Sequence, residues 1–250
     1  MMKTVLTCYA FLWAITAFAQ NNLPRLELYA APGFFIEGLN GDNLVPQKER
    51  NSHRIGDDVA YGIASTLQVH ESRWVIKAGI GYRVRHYSLS KYSITDIFTN
   101  LFLFDAGPRR DTFAISRVKF TNKYVEVPLS IAFFLTRPGD GIGGISIGLT
   151  MRPGFLVSSN PQLSIDSSVR ALPSPQATAD LKRAYAQNAT KTTLTVEPFF
   201  ESSFFISNGV GILLQVRPFS IYSSRLNNRF TISTNEILGT TFGIMYDFNR

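Results

Sequence analysis

The chain has 250 residues, 45% hydrophobic, 13% aromatic and 17% charged, with a formal net charge of +7 and a single cysteine. This composition excludes an intrinsically disordered chain and a disulfide-stapled one. A mean hydropathy of +0.04 excludes a bundle of membrane helices, each of which needs about 20 mostly apolar residues in a row.

The one long apolar run stands at the start. Met1, Met2 and Lys3 form a positive head, Val5 to Ala17 an apolar stretch, and Ala17-Phe18-Ala19 a small-x-small cleavage pattern before Gln20. The reading is a secretory signal peptide over 1–19 and a mature domain over 20–250. Cys8 lies within the apolar run, so the mature chain has no cysteine and no thiol or cysteine-zinc chemistry.

Beyond Gln20 the chain falls into segments of period-two alternation divided by turn residues, which predicts strands. The segments are Arg25 to Ile36, Asp58 to Val69, Arg73 to Ser88, Lys119 to Leu135, Gly143 to Val157, Lys191 to Ile206, Val210 to Tyr222 and Asn235 to Phe248. Their connections alternate long and short, the long ones being Glu37 to Asp57, Leu89 to Val118, Ser158 to Thr190 and Ser223 to Thr234. An even set of antiparallel strands with short turns at one end and long loops at the other is the layout of an outer-membrane barrel. The expected fold is therefore all-β, an eight-stranded antiparallel transmembrane barrel with short periplasmic turns and long extracellular loops. Asn208-Gly209 suits a tight type I′ hairpin, where both central residues need positive φ.

One parity of the strands is apolar, as in Trp74, Ile76, Ile80 and Tyr82 or Ile145, Ile147, Leu149 and Met151. The other parity carries Glu27, Lys77, Arg83, Arg85, Glu126, Arg152, Glu197, Glu201 and Arg217, interspersed with glycine. Alternation alone leaves a soluble lipocalin-like barrel open, apolar inside and polar outside. The glycines favour the charged face as the interior, because a narrow lumen crowds backbones and long side chains together. A charge-free band is what lipid demands, since Arg or Lys facing it costs about 2–4 kcal/mol at the bilayer midplane. The nine charged residues are then a lumen ion-pair network that plugs the barrel. Glu197 and Glu201 are expected to accept from Arg152 and Arg217 on adjacent strands. Trp74, Tyr82 and Tyr246 fit interfacial girdles.

Tyr124-Val125-Glu126-Val127-Pro128-Leu129 resembles the Tyr-x-Glu-hydrophobic-Pro-Leu strand of the PorT-like outer-membrane barrels. Tyr61-Gly62-Ile63, through Trp74, to Gly79-Ile80-Gly81-Tyr82 is similar to the aromatic-Gly and Gly-x-Gly-Tyr hairpin of that family. The resemblance implies an eight-stranded barrel in the outer membrane of a Gram-negative cell. Some members of that family take part in assembling a protein-secretion and surface-motility apparatus. The chain departs from the usual barrel ending in that Asn249 and Arg250 follow Phe248.

In the loops, Ile94, Ile97, Phe98, Leu101 and Phe102 recur at helical spacing, with Ser93 or Thr95 placed to cap, and Thr178 to Ala189 reads as a second helix. His53, His70 and His86 have no metal-ligand spacing, and no phosphate-cradling loop or Gly-x-Ser-x-Gly elbow is present. Glu197 and Glu201 stand about 13–14 Å apart along one strand face, too far for a paired-carboxylate glycosidase. His86-Tyr87-Ser88 resembles the His-x-Ser pair of lipid A deacylases, which makes a lipid A esterase one alternative and a small pore another. The basic residues are scattered among acids rather than gathered into a stripe with stacking aromatics, which argues against nucleic acid. The expected partners are outer-membrane lipid and lipopolysaccharide, and other outer-membrane or secretion-apparatus proteins, with no cofactor and no enzymatic activity.

Overall fold

The computed structural model describes residues 25–38, 53–68, 72–90, 115–136, 144–165, 175–187, 189, 191–207, 209–226, 229–235 and 239–248. The signal-peptide reading, the His70 turn and the helix expected over Ile94 to Phe102 lie outside them. The strands are β1 (Arg25–Gly38), β2 (His53–Gln68), β3 (Trp74–Ser90), β4 (Ile115–Glu126), β5 (Leu129–Thr136) and β6 (Gly144–Ile165). They continue as β7 (Thr192–Phe205), β8 (Val210–Arg217), β9 (Ser220–Leu226), β10 (Arg229–Asn235) and β11 (Gly239–Asp247), with one helix, α1 (Pro175–Gln187), before β7.

These eleven strands make eight staves. β4 and β5 are one stave interrupted at Val127-Pro128, and β8 and β9 are another, interrupted at Pro218-Phe219; β10 and β11 together form the last. Every pairing is antiparallel between chain neighbours, and β11 pairs with β1 from Arg25↔Asp247 to Gly33↔Gly239, which closes the ring. Closure removes every unpaired edge, the condition a sheet must meet to sit in lipid.

The exterior is apolar. Leu28, Ile80, Phe200 and Ile244 are each more than half exposed, while Glu197, Glu126, Arg217 and Asp58 on the other parity are 0–1% exposed. That polarity is the reverse of a soluble barrel, and it defines a transmembrane β-barrel. Toward the short-turn end of the lumen, Val75, Ala132, Phe134 and Phe199 form a buried apolar cluster. Around the outside, Trp74 meets Phe133 edge-on at 5.2 Å, and Tyr246 meets Phe248 at 4.8 Å.

The short turns follow from local chemistry. Gly209 has φ of 80°, open to glycine without a steric penalty, and Val210 N donates to Ser207 O at 3.2 Å. At the β2–β3 turn, Ser72 Oγ accepts from Trp74 N at 3.1 Å.

The upper parts of the staves are longer than the alternation indicates. β6 continues past Val157 to Ile165, paired with β4, after a register shift opposite Lys123/Tyr124. The connection read as Ser223 to Thr234 is instead mostly a hairpin, with β9 and β10 paired from Asn235↔Ser220 to Arg229↔Leu226. The added part of β6 is mostly polar and β9 and β10 are only seven residues each, so these segments pair without a long apolar alternation to mark them. Helix α1 starts at Pro175, ahead of the expected Thr178, because proline fits a first helical turn whose N–H groups lack partners anyway.

Candidate functional site

The inward parity places charged side chains from every stave into one narrow space, where they sort into two tiers and a closing pair. In the upper tier Glu197 of β7 is the hub. It accepts from Arg152 Nε of β6 at 2.6 Å and from Arg217 Nη1 of β8 at 2.9 Å, and it lies 3.5 Å from Arg83 Nη2 of β3. Arg83 reaches further, with Nε 2.8 Å from Glu126 and Nη1 2.8 Å from Asp58, and Arg85 shares the same Asp58 oxygen at 3.2 Å. Arg217 also donates through Nη2 to the Pro32 and Thr240 carbonyls at 3.2 and 3.3 Å, which ties the hub to β1 and β11.

Below it, Lys77 Nζ donates to both Glu201 oxygens at 2.7 and 2.6 Å and to Glu27 at 3.1 Å. Thr66 Oγ1 donates to Glu27 at 2.6 Å and Gln215 Nε2 to Glu201 at 3.4 Å. At the short-turn end Arg25 and Asp247 pair at 3.1 Å across the β1–β11 seam.

The structure thus brings together all nine residues singled out in the sequence, with one pairing different from expectation. Glu197 accepts from Arg152 and Arg217, but Glu201 does not; its cation is Lys77, which reaches it across the lumen. β3 and β7 are not neighbours, and the stagger of a barrel brings non-adjacent staves face to face across so small an interior. Sequence reasoning missed Asp58, Arg25 and Asp247. Asp58 follows Asp57 within β2, and only the parity of the whole strand shows that Asp57 points out and Asp58 in.

Tyr29 completes the upper tier. The Arg152 guanidinium lies 5.7 Å from its ring centroid, a cation–π distance. Its hydroxyl sits over Gly62 and Gly81, where an added Cβ would come within 2.5 and 2.6 Å of it. Glycine at these two positions is what lets a tyrosine lie across so narrow a lumen.

Among the described residues the lumen carries Glu27, Asp58, Glu126, Glu197, Glu201 and Asp247 against Arg25, Lys77, Arg83, Arg85, Arg152 and Arg217, so the charges cancel. Buried charge is costly unless paired, and here each carboxylate has a cation within 3.5 Å. Such an arrangement fixes the staves against one another. Among the described residues no group of three or more His, Cys, Asp and Glu side chains could hold a metal ion. His86 lies outside the lumen and exposed, its Nδ1 3.0 Å from Thr121 Oγ1.

No protein-family model matches the chain, and no curated protein matches it. Among solved structures it is similar to Neisserial surface protein A, with 8% identity over 90% of this chain and 97% of that one and a TM-score of 0.41. It is also similar to a major outer membrane protein from Thermus thermophilus, with 9% identity, coverage of 90% and 100%, and a TM-score of 0.42. The attachment invasion locus protein Ail of Yersinia pestis, in complex with the heparin analogue sucrose octasulfate, matches with 11% identity, coverage of 89% and 99%, and a TM-score of 0.33. At these values the assignment of the fold rests on the closed ring and its outward apolar face.

Proposed function

We propose that this protein is an outer-membrane barrel with a closed lumen, a non-enzymatic scaffold whose specific contacts are made at the long-loop rim. The observation that carries the reading is the charge-balanced network, which joins β1, β2, β3, β4, β6, β7, β8 and β11 and fills an interior that eight strands leave just wide enough for side chains. A barrel braced in this way has little to offer as a pore and much as a rigid platform. In this reading the short turns are periplasmic, α1 is on the cell surface, and residues 1–19 direct export. The likeness of Tyr124 to Leu129 to the PorT-like strand adds a context, the assembly of a secretion or surface-motility apparatus, in which loop contacts with other envelope proteins are the protein's work.

The esterase alternative has His86 activating Ser88. The His86 Nδ1 atom, where an orienting carboxylate would bind, faces the neutral Thr121 hydroxyl instead, which disfavours that reading. Planar-bilayer recording tests the proposal. The purified protein should show no stable channel events, whereas reproducible conductance would make it a pore. Photocrosslinking from α1 in intact cells should capture an envelope protein, and a change in lipid A mass on overexpression would revive the esterase.

A further inference from the structure

The outer wall made by β2, β3, β4 and β6 changes character in one step. Tyr61, Tyr82, Val125 and Phe155 lie side by side in register, an aromatic-rich row that is followed by the first row to carry a charge on this wall. The next outward row is Val59, Val84, Lys123 and Ser158, then Asp57, His86, Thr121 and Asn160, and above these Ile55, Ser88, Lys119 and Gln162 lie in register. The register shift at Val157/Ser158 turns Ser158, Asn160 and Gln162 outward on β6, so the β4–β6 half of the wall is polar from that point up, while Val59, Val84 and Ile55 stand in register with it on β2 and β3.

Lys119, Lys123 and His86 are exposed, and both lysines have uncharged neighbours in register, Ser88 and Gln162 for one, Val84 and Ser158 for the other. His86 and Thr121, hydrogen-bonded at 3.0 Å, sit between them. The outward carboxylate of this wall among the described residues is Asp57, beyond His86 from both lysines.

We propose that Lys119 and Lys123, with His86 and the hydroxyl and amide groups of β6, form a docking face for the phosphorylated headgroup of an outer-leaflet glycolipid of the lipopolysaccharide type. The proposal rests on the outer-membrane reading above and gives it a specific lipid contact outside the lumen. Two arguments carry it. The first is height: interfacial aromatics mark the boundary between acyl chains and headgroups, and the cations begin one row above it, where lipid phosphates lie. The second is spacing. Four residues along a strand are about 13 Å, so the two ammonium groups stand at different depths with hydrogen-bonding side chains between them. That suits a large headgroup bearing anionic groups at more than one level better than the single phosphate of a phospholipid. Arg117 also belongs to this strand, two residues above Lys119.

The test uses the full-length barrel reconstituted into nanodiscs that contain equimolar rough lipopolysaccharide and phosphatidylglycerol, with lipid that co-migrates after detergent extraction quantified by mass spectrometry. The parent should retain lipopolysaccharide over phosphatidylglycerol, and K119Q/K123Q should lose at least threefold of that preference while keeping heat-modifiable migration. R73Q, an exposed cation at the short-turn end, should keep it. Equal retention by parent and K119Q/K123Q, a parent preference for phosphatidylglycerol, or an equal loss in R73Q would overturn the docking face. So would unchanged lipid retention in K119Q/K123Q together with loss of a crosslinked protein, which would assign the wall to a protein partner. Failure of the parent to enter nanodiscs at all would instead overturn the membrane reading on which the proposal stands.

Discussion

The hub carboxylate offers the sharpest test of the closed lumen. In Glu197→Gln the side chain keeps its length and one acceptor oxygen but loses its charge, leaving Arg152, Arg217 and Arg83 around a neutral amide whose N–H group faces guanidinium. The two short contacts, 2.6 and 2.9 Å, are charge-assisted, and such hydrogen bonds contribute about 1.5–3 kcal/mol each. Losing one outright and weakening the other agrees with the roughly 3–5 kcal/mol by which breaking one side of a buried ion pair destabilises a protein. Unfolding in urea from lipid vesicles can be followed by the fluorescence of Trp74, half-exposed on the barrel exterior. The outward-facing Ile147→Ala is the control, since lipid fills the space it vacates, and it should cost about 1 kcal/mol or less. If Glu197→Gln unfolds within about 1 kcal/mol of the parent, water must be screening the arginines, and the lumen is hydrated rather than plugged.

Three further outcomes are expected. Lys77→Met should leave Glu27 and Glu201 facing each other without their shared cation and raise cation-selective current in planar bilayers above the parent baseline; an unchanged baseline would place the barrier elsewhere. Gly62→Val should cost about 1–3 kcal/mol by overpacking against Tyr29 and the Ile80 carbonyl, and a variant as stable as the parent in urea would show that both the Tyr29 ring and the β3 backbone give way. In a Cys8→Ser background, which has no other cysteine, Lys182→Cys on α1 should react with a membrane-impermeant maleimide on intact cells and Ser207→Cys only after lysis. The opposite labelling pattern would invert the topology.

What could be read from the sequence is what depends on period two. Inward and outward sets are local properties of each strand, so Glu126, Arg152 and Glu197 fall on the charged side without reference to any neighbour. Which inward residues meet is a property of the whole ring. Lys77 and Glu201 come together because of stagger across the lumen, and no spacing within β3 or β7 encodes it. The β9–β10 hairpin was hidden for a different reason. Its apolar residues are few, Ile221, Tyr222 and Leu226 on β9 and Phe230 and Ile232 on β10, and each strand is only seven residues long, so the alternation is too short to stand out from a loop.

One pattern links sequence to site more closely than the alternation does. Arg152, Glu197 and Arg217 are each followed at once by proline, and Glu126 is followed by Val127-Pro128. Proline holds the preceding residue in extended backbone and supplies no N–H to the ladder, so it is unusual inside a paired strand. Both interrupted staves break at these prolines, between β4 and β5 and between β8 and β9. The break at Val127-Pro128 is bridged, since Val127 N donates to Pro153 O and Pro128 O accepts from Gly79 N, each at 3.0 Å. Backbone irregularity at membrane depth is tolerated only where its polar groups are satisfied within the protein. Here the irregularities surround the tier that Glu197 organises, and one of them carries the Tyr124 to Leu129 motif, whose Tyr124 and Glu126 are buried in the lumen while Leu129 faces out. The motif therefore has a physical content independent of ancestry: it sets a break in the stave directly after a buried carboxylate, Glu126, that meets Arg83. Replacing Pro128 by alanine restores the N–H that the break lacks without touching a charge. If the break positions Glu126, Pro128→Ala should lower stability in urea in the parent background but by less in Glu126→Gln, where there is no carboxylate to place. Strict additivity of the two changes would show that proline and carboxylate act separately.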